Sequence, residues 1–120
     1  MTMDQQEAGR RVLWVEDEYF IADDMARAFE AEGVEVVGPV GDLKTAMQLI
    51  EDDGPIDGAV LDINLHGEMA FSLADALVAR GVNFVFATGY GSDIIPERFA
   101  QITRCEKPVE PSKVARSLFV

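Results

Sequence analysis

The sequence predicts an α/β protein whose helices cover both faces of a five-stranded parallel sheet. Short apolar runs rich in Val and Ile recur along the chain, and stretches with helical apolar spacing lie between them. The central runs are nearly uninterrupted in hydrophobicity, as strands covered on both faces are. The predicted strands are residues 11–15, 35–40, 58–61, 83–87 and, most weakly, 103–106. This alternation is typical of a doubly wound sheet built from βαβ units.

Three amphipathic helices are predicted between these strands, because apolar residues recur there at helical spacing. Asp42 is placed to cap the second helix, and Gly33 and Gly81 to end the first and third. The predicted apolar faces are Ile21, Met25, Ala28 and Phe29 in the first helix, Leu43, Met47 and Ile50 in the second, and Ala70, Ala74, Leu77 and Val78 in the third.

The last third of the chain predicts one irregular helix and one terminal helix. Pro96 would break a helix that began at Ser92, but it could open a short one that runs through Phe99. Pro111 stands where the first turn of a helix tolerates proline. The fourth helix is therefore expected to be short or irregular.

Length and composition predict one compact cytoplasmic domain, with residues 1–10 as a lead-in and residues 11–120 as the domain. The net charge of −12 repels the phosphate backbone, so direct nucleic-acid binding is not expected. Neither a signal sequence nor an apolar run of membrane-spanning length is visible, so no membrane association is expected. The single cysteine, Cys105, makes a poor zinc ligand alone and is interpreted as a buried strand residue.

Polar residues stand at the carboxyl ends of the predicted strands, where the ligand site of an open parallel sheet lies. These residues are Glu16, Asp17 and Glu18 after the first strand, Asp62 and Asn64 after the third, Thr88 after the fourth and Lys107 after the fifth. Asp62 is the most informative, because aspartate avoids the end of an apolar strand unless it is paired. Glu16, Asp17 and Glu18 alone could instead be a solvated cap before the first helix.

Carboxylates gathered in this way repel one another unless one of them takes up a proton or a cation sits among them, and a divalent cation is the simpler answer. The candidate ligands are all oxygens, which favours a hard ion such as Mg²⁺. Beside such an ion, Asp62 could attack phosphorus to form an acyl phosphate, with the Lys107 ammonium neutralising charge on the phosphoryl oxygens. The Thr88 hydroxyl could donate to a phosphoryl oxygen, and its movement would provide a switch.

Four motifs at the strand ends resemble those of the receiver domain of bacterial two-component response regulators, from Arg11 onward. The motifs are Val-Glu-Asp-Glu at 15–18, Val-Leu-Asp-Ile-Asn at 60–64, Phe-Ala-Thr-Gly-Tyr at 86–90 and Glu-Lys-Pro at 106–108. The resemblance implies a flavodoxin-like (βα)5 fold with strand order 2-1-3-4-5. It also implies that Asp17, Asp62 and the Asn64 carbonyl hold Mg²⁺, with Glu16 acting through water and with Lys107 and Thr88 on the phosphoryl group.

The Phe-Ala-Thr-Gly-Tyr string is similar to that of the FAT GUY receivers, a subgroup of mostly single-domain regulators found in alphaproteobacteria and linked to general stress signalling. Many receivers carry a switching aromatic residue three positions before the lysine, and this chain has Arg104 there. Tyr90, two residues past Thr88, is a hypothetical substitute for that aromatic switch.

The expected function is acceptance of a phosphoryl group on Asp62 from a sensor histidine kinase or histidine phosphotransfer protein, in a single-domain relay, adaptor or phosphate sink. A fragment of a larger regulator or hybrid kinase remains an alternative. A small phosphatase of the haloacid-dehalogenase type is disfavoured, because its motif needs a second Asp where Asn64 stands. A receiver-like module that binds partners without phosphorylation is the other alternative. His66, the only histidine, is expected to be solvated and without a role.

Overall fold

The computed structural model describes residues 9–52, 54–65, 68–89, 95–106 and 110–119. Its strands are β1 (Arg11–Val15), β2 (Glu35–Val40), β3 (Gly58–Asp62), β4 (Asn64–Leu65), β5 (Glu68–Met69), β6 (Asn83–Thr88) and β7 (Arg104–Glu106). Its helices are α1 (Tyr19–Ala31), α2 (Leu43–Asp52), α3 (Phe71–Ala79) and α4 (Pro111–Phe119), with a 3-10 turn at Glu97–Phe99. None of the helices in these ranges is both long and apolar enough to cross a membrane.

Five of the strands form one parallel sheet in the order β2-β1-β3-β6-β7. This is the predicted order 2-1-3-4-5, because β4 and β5 form a separate two-stranded antiparallel hairpin. The chain leaves β1 toward β2 on one side and reaches β3 on the other, so the order reverses between β1 and β3. The flavodoxin-like α/β fold is therefore confirmed, and its crevice lies at this reversal.

Hydrophobic side chains pack on both faces of the sheet, as the uninterrupted apolar strands predict. Leu13, Leu61 and Phe86 face a cluster that is covered by Ile50 of α2 and Leu77 of α3. On the other face, α1 and α4 cover the sheet with the residues Phe29, Val114 and Leu118, which pack against Val12, Trp14, Val60 and Val85. Two helices on each face make the sheet doubly wound.

The predicted helix ends agree with the structure. The Thr45 amide donates a 2.7 Å hydrogen bond to Oδ1 of Asp42, and the Thr45 hydroxyl donates one of 3.0 Å to Oδ2. These bonds hold the pKa of Asp42 below its ordinary value. Gly33 and Gly81 follow α1 and α3 with φ values of 91° and 70°, which a side chain would disfavour.

Two expectations need correction, and a third is confirmed. Val78 is 56 % exposed, so the buried face of α3 does not reach it, although Ala74 and Leu77 are buried as predicted. Cys105 is half-buried because β7 is a three-residue strand at the edge of the sheet. The fourth helix is the short 3-10 turn that follows Pro96 and includes Phe99, which agrees with the expected irregular element. Ser92 lies outside the described residues.

Candidate functional site

The three central strands bring the predicted acidic residues and Thr88 to one edge of the sheet. Val15, the last residue of β1, pairs with Leu61 of β3, so Glu16 and Asp62 are the next residues on neighbouring strands. Asp62 in turn pairs with Ala87, which precedes Thr88 in β6. Asp62 and Thr88 belong to the strands themselves, one residue beyond the predicted ends.

Four carboxylates form a compact cluster at this edge, with one oxygen from each of Glu16, Asp17, Glu18 and Asp62 within 4.8 Å of the others. Glu16 and Asp62 are only 2 % and 8 % exposed, whereas Asp17 is half-buried and Glu18 exposed. The Glu18 amide donates a 3.3 Å hydrogen bond to Oε2 of Glu16. The cluster therefore has a buried floor, formed by Glu16 and Asp62, and a more exposed rim, formed by Asp17 and Glu18.

The cluster does not behave as a simple cap for α1. Glu18 occupies the cap position of that helix, yet its side chain makes no capping hydrogen bond. Glu16 is buried, and its amide donates a 2.9 Å hydrogen bond to the Val40 carbonyl of the neighbouring strand. A solvated helix cap would leave these carboxylates in water, so the simple capping interpretation does not fit Glu16.

The donor set of the cluster fits a hard divalent cation. Carboxylates held this close repel one another, and a cation among them offsets that repulsion. Oxygen ligands that are partly buried and partly open to water match a cation that keeps some of its water shell. Glu18 was not among the predicted metal ligands, and the structure places its carboxylate in the acidic cluster. Its position directly after Asp17 was the signal available in the sequence.

The remaining predicted residues occupy different parts of the site edge. Asn64 is exposed at the start of β4, two residues beyond Asp62. Thr88 ends β6 with 7 % exposure and pairs with Glu106 of β7. Arg104 is exposed and pairs with Phe86, so the position of the usual aromatic switch carries a solvent-facing cation. Lys107, Tyr90 and His66 lie outside the described residues.

The hairpin of β4 and β5 was not predicted. It pairs Asn64 with Met69 and Leu65 with Glu68 directly after the phosphoacceptor candidate Asp62. Its base is closed by the Ala70 amide, which donates a 2.8 Å hydrogen bond to the carbonyl of Ile63. The residues between its strands are His66 and Gly67, a weak form of the X-Gly hairpin signal. Two-residue strands are too short to show a period.

No protein-family model matches the chain. It is 31 % identical over 90 residues to the transcriptional regulatory protein PdtaR of Mycobacterium tuberculosis, in the strains CDC 1551 / Oshkosh and ATCC 25618 / H37Rv. The match covers 74 % of this chain and 43 % of PdtaR, so the chain spans less than half the length of these curated relatives.

Solved structures match nearly the whole chain. SdrG from Sphingomonas melonis Fr1 is 39 % identical with a TM-score of 0.78, over 92 % of this chain and 93 % of SdrG. The BeF3-activated conformation of SdrG, from Pseudomonas melonis Fr1, is 38 % identical with a TM-score of 0.75, over 92 % and 94 %. The receiver domain of the hybrid histidine kinase CckA is 28 % identical with a TM-score of 0.69, over 88 % and 93 %.

The strand order, the acidic cluster at the crevice and the near-complete match to SdrG agree with one another. The four strand-end motifs stand in this chain in the order that the resemblance requires. Together these observations show that the chain belongs to the receiver domains of bacterial two-component response regulators.

Proposed function

We propose that Asp62 accepts a phosphoryl group from a sensor histidine kinase or a histidine phosphotransfer protein, with Mg²⁺ as the metal. The observation that carries the proposal is a buried aspartate at the end of a central strand, inside a cluster of four carboxylates. A buried carboxylate needs compensating partners, and within a cluster of four carboxylates a cation can supply the positive charge.

The proposed roles follow from the positions of the residues and from the family resemblance. Asp17, Asp62 and the backbone carbonyl of Asn64 would hold Mg²⁺, and Glu16 would act through a bound water molecule. The ion would supply positive charge against the oxygens of the incoming phosphoryl group. The buried floor formed by Glu16 and Asp62 limits the water that competes for those oxygens.

The proposed transfer forms one bond and breaks another. A carboxylate oxygen of Asp62 attacks phosphorus, and the bond from phosphorus to the donor imidazole nitrogen breaks, with its electron pair staying on the imidazole. The ammonium of Lys107 and the hydroxyl of Thr88 would bind phosphoryl oxygens. Water would later attack the phosphoryl group, returning Asp62 as a carboxylate and releasing inorganic phosphate.

We place the chain among single-domain regulators of the FAT GUY subgroup, working in the cytoplasm as a relay, an adaptor or a phosphate sink. The support is the Phe-Ala-Thr-Gly-Tyr string at 86–90 and the 38 % identity to SdrG, which has a BeF3-activated conformation. Beryllofluoride is a phosphoryl mimic, so activation of a relative by it fits a phosphoacceptor. Tyr90 would take the place of the aromatic switch that Arg104 does not provide.

Treatment with acetyl phosphate and Mg²⁺, followed by intact mass measurement, tests the proposal. The unaltered protein should gain one phosphoryl adduct, and Asp62→Asn should gain none, because an amide is a poor nucleophile. Asp23→Asn is a matched control, since Asp23 is an exposed carboxylate in α1 that pairs with Arg27 and lies outside the acidic cluster. An unaltered protein that stays unmodified, or an Asp62→Asn variant that is modified equally, would contradict the proposal.

A further inference from the structure

The Glu97–Phe99 turn between β6 and β7 is held from its inner side by aromatic packing. The Phe99 ring is 2 % exposed and stacks on Phe71 of α3, with ring centroids 5.9 Å apart and planes at 24°. It also packs edge-on against Phe86 and Phe84, with ring-centroid distances of 5.8 Å and 6.4 Å. This aromatic cluster anchors the turn to the sheet and to α3.

On its outer side, the same turn is held by a bidentate ion pair. Nε of Arg98 donates to Oδ1 of Asp75 in α3, and Nη2 donates to Oδ2, both at 3.0 Å. The guanidinium also lies 4.6 Å from the centroid of the Phe99 ring. The pair lowers the pKa of Asp75 and raises that of Arg98, which fits a bond between the charged forms.

The two attachments differ in how easily they break. Asp75 and Arg98 are about half exposed, at 51 % and 55 %, so water and salt compete with their ion pair. The Phe99 ring has no such competitor, because moving it would open a cavity in the core. A small movement of the turn would therefore release the ion pair while the ring stays buried as a pivot.

The turn is also connected to the proposed phosphorylation site. Phe86, which contacts the Phe99 ring, lies two residues before Thr88 on the same strand. Alternate residues of a strand face the same side, so a shift of Thr88 along β6 would move Phe86 against Phe99. Arg104, in the position of the usual aromatic switch, is exposed and outside this ring cluster.

We propose that the Asp75–Arg98 ion pair is a latch that holds the Glu97–Phe99 turn against α3 in the unphosphorylated protein. Its release, with Phe99 as the pivot, passes a change at Thr88 to the exposed side of residues 95–102. Asp75 and Arg98 are positioning residues in this scheme and do not touch the phosphoryl group. The inference rests on the proposed function, because it needs phosphorylation of Asp62 as the trigger.

Hydrogen exchange at the amides of residues 97–102, with and without beryllofluoride and Mg²⁺, tests the latch. Binding of beryllofluoride and Mg²⁺ should speed exchange in the unaltered protein about two- to fivefold. This is the range expected from the small free energy of an exposed ion pair. Asp75→Asn and Arg98→Gln should show the faster exchange without loading. The double variant Asp75→Arg with Arg98→Asp, which restores the pair in reverse, should regain slow exchange and its response to loading.

Asp23→Asn is the matched control, because it breaks an exposed ion pair of similar length, 2.9 Å, in α1. It should leave exchange at residues 97–102 unchanged. If the protein binds beryllofluoride but exchange there does not respond, or if Asp75→Asn exchanges like the unaltered protein, the latch is wrong while the proposed function stands. A protein that binds no beryllofluoride at all would contradict the proposed function, and the latch would fall with it.

Discussion

At the scale of single residues, the site is defined by how differently four neighbouring carboxylates are exposed. Glu16 and Asp62 are buried beneath the rim that Asp17 and Glu18 form, although all four place an oxygen within 4.8 Å of the others. A cation bound among them would interact more strongly with the buried pair, because water screens the charges of the rim. Asp17 is intermediate in exposure between the buried Glu16 and the exposed Glu18, and it lies between them in the sequence.

These differences in exposure predict that removing different carboxylates weakens Mg²⁺ binding to different extents. Asp17→Asn should weaken Mg²⁺ binding by at least about tenfold, since loss of a metal-binding carboxylate costs at least as much as loss of an outer partner. Glu18→Gln should weaken it less, because Glu18 is exposed and its charge is screened. Titration of Mg²⁺ followed by Trp14 fluorescence or by amide chemical shifts measures both. Equal affinities in all three proteins would contradict the proposed metal site.

The sequence was sufficient to bring Asp62 together with the three acidic residues that follow β1, but not to include Glu18 among the metal ligands. Asp62 was predictable because an aspartate that ends an apolar strand needs a compensating partner. Glu18 was assigned no metal role, since the direction of a side chain beyond the end of β1 depends on how the chain enters α1. Val78 was wrongly placed on a buried face, because helical spacing fixes a face but not where its edge meets solvent.

At the scale of elements, β1 and β3 place the acidic cluster at one edge of the sheet, and β6 places Thr88 on the strand next to Asp62. The central strands β1, β3 and β6 were predicted well because their apolar runs are covered on both faces, and the weaker runs at the two edges are the strands β2 and β7. The β4–β5 hairpin was missed, because pairing of Asn64 with Met69 and Leu65 with Glu68 leaves no periodic pattern. Cys105 was expected to be buried, but it is half-buried at the open edge of the sheet.

The cap of α2 predicts a pH-dependent contribution to stability. The pKa of Asp42 is lowered in the folded protein, mainly by the hydrogen bond from the Thr45 amide, so the folded state favours the carboxylate. Its stabilising effect should be complete above the ordinary value of 3.8 and be lost as the pH falls through the lower, folded value. Asp42→Ala should lower the urea midpoint at pH 7.

The corresponding measurement is urea unfolding of both proteins across the acidic range. The difference between the unaltered protein and Asp42→Ala should shrink as the pH falls below 3.8. Asp24→Ala, which removes an exposed carboxylate of α1, is the control and should show a smaller difference at pH 7. A difference between the two proteins that stays constant with pH would show that the charge of Asp42 does not act as a cap.

At the scale of the whole molecule, a short path of contacts connects the acidic cluster with the turn that the proposed latch holds. The acidic cluster lies beyond β1 and β3, and the path runs along the neighbouring strand β6 from Thr88 to Phe86 and then to Phe99. The 48 % hydrophobic content supplies the two core layers that keep this strand rigid. The strand order was predicted through the resemblance to receiver domains, and the sheet has that order.

Every proposed role in the site depends on Asp62 as the residue that carries the phosphoryl group. Acyl phosphates react with borohydride, which reduces the modified aspartate to homoserine. After acetyl phosphate and Mg²⁺ treatment, borohydride reduction and peptide mapping should place homoserine at Asp62 and leave Asp17 unchanged. Homoserine at Asp17, the corresponding reduced product at Glu16 or Glu18, or no reduced residue in the unaltered protein would contradict the account.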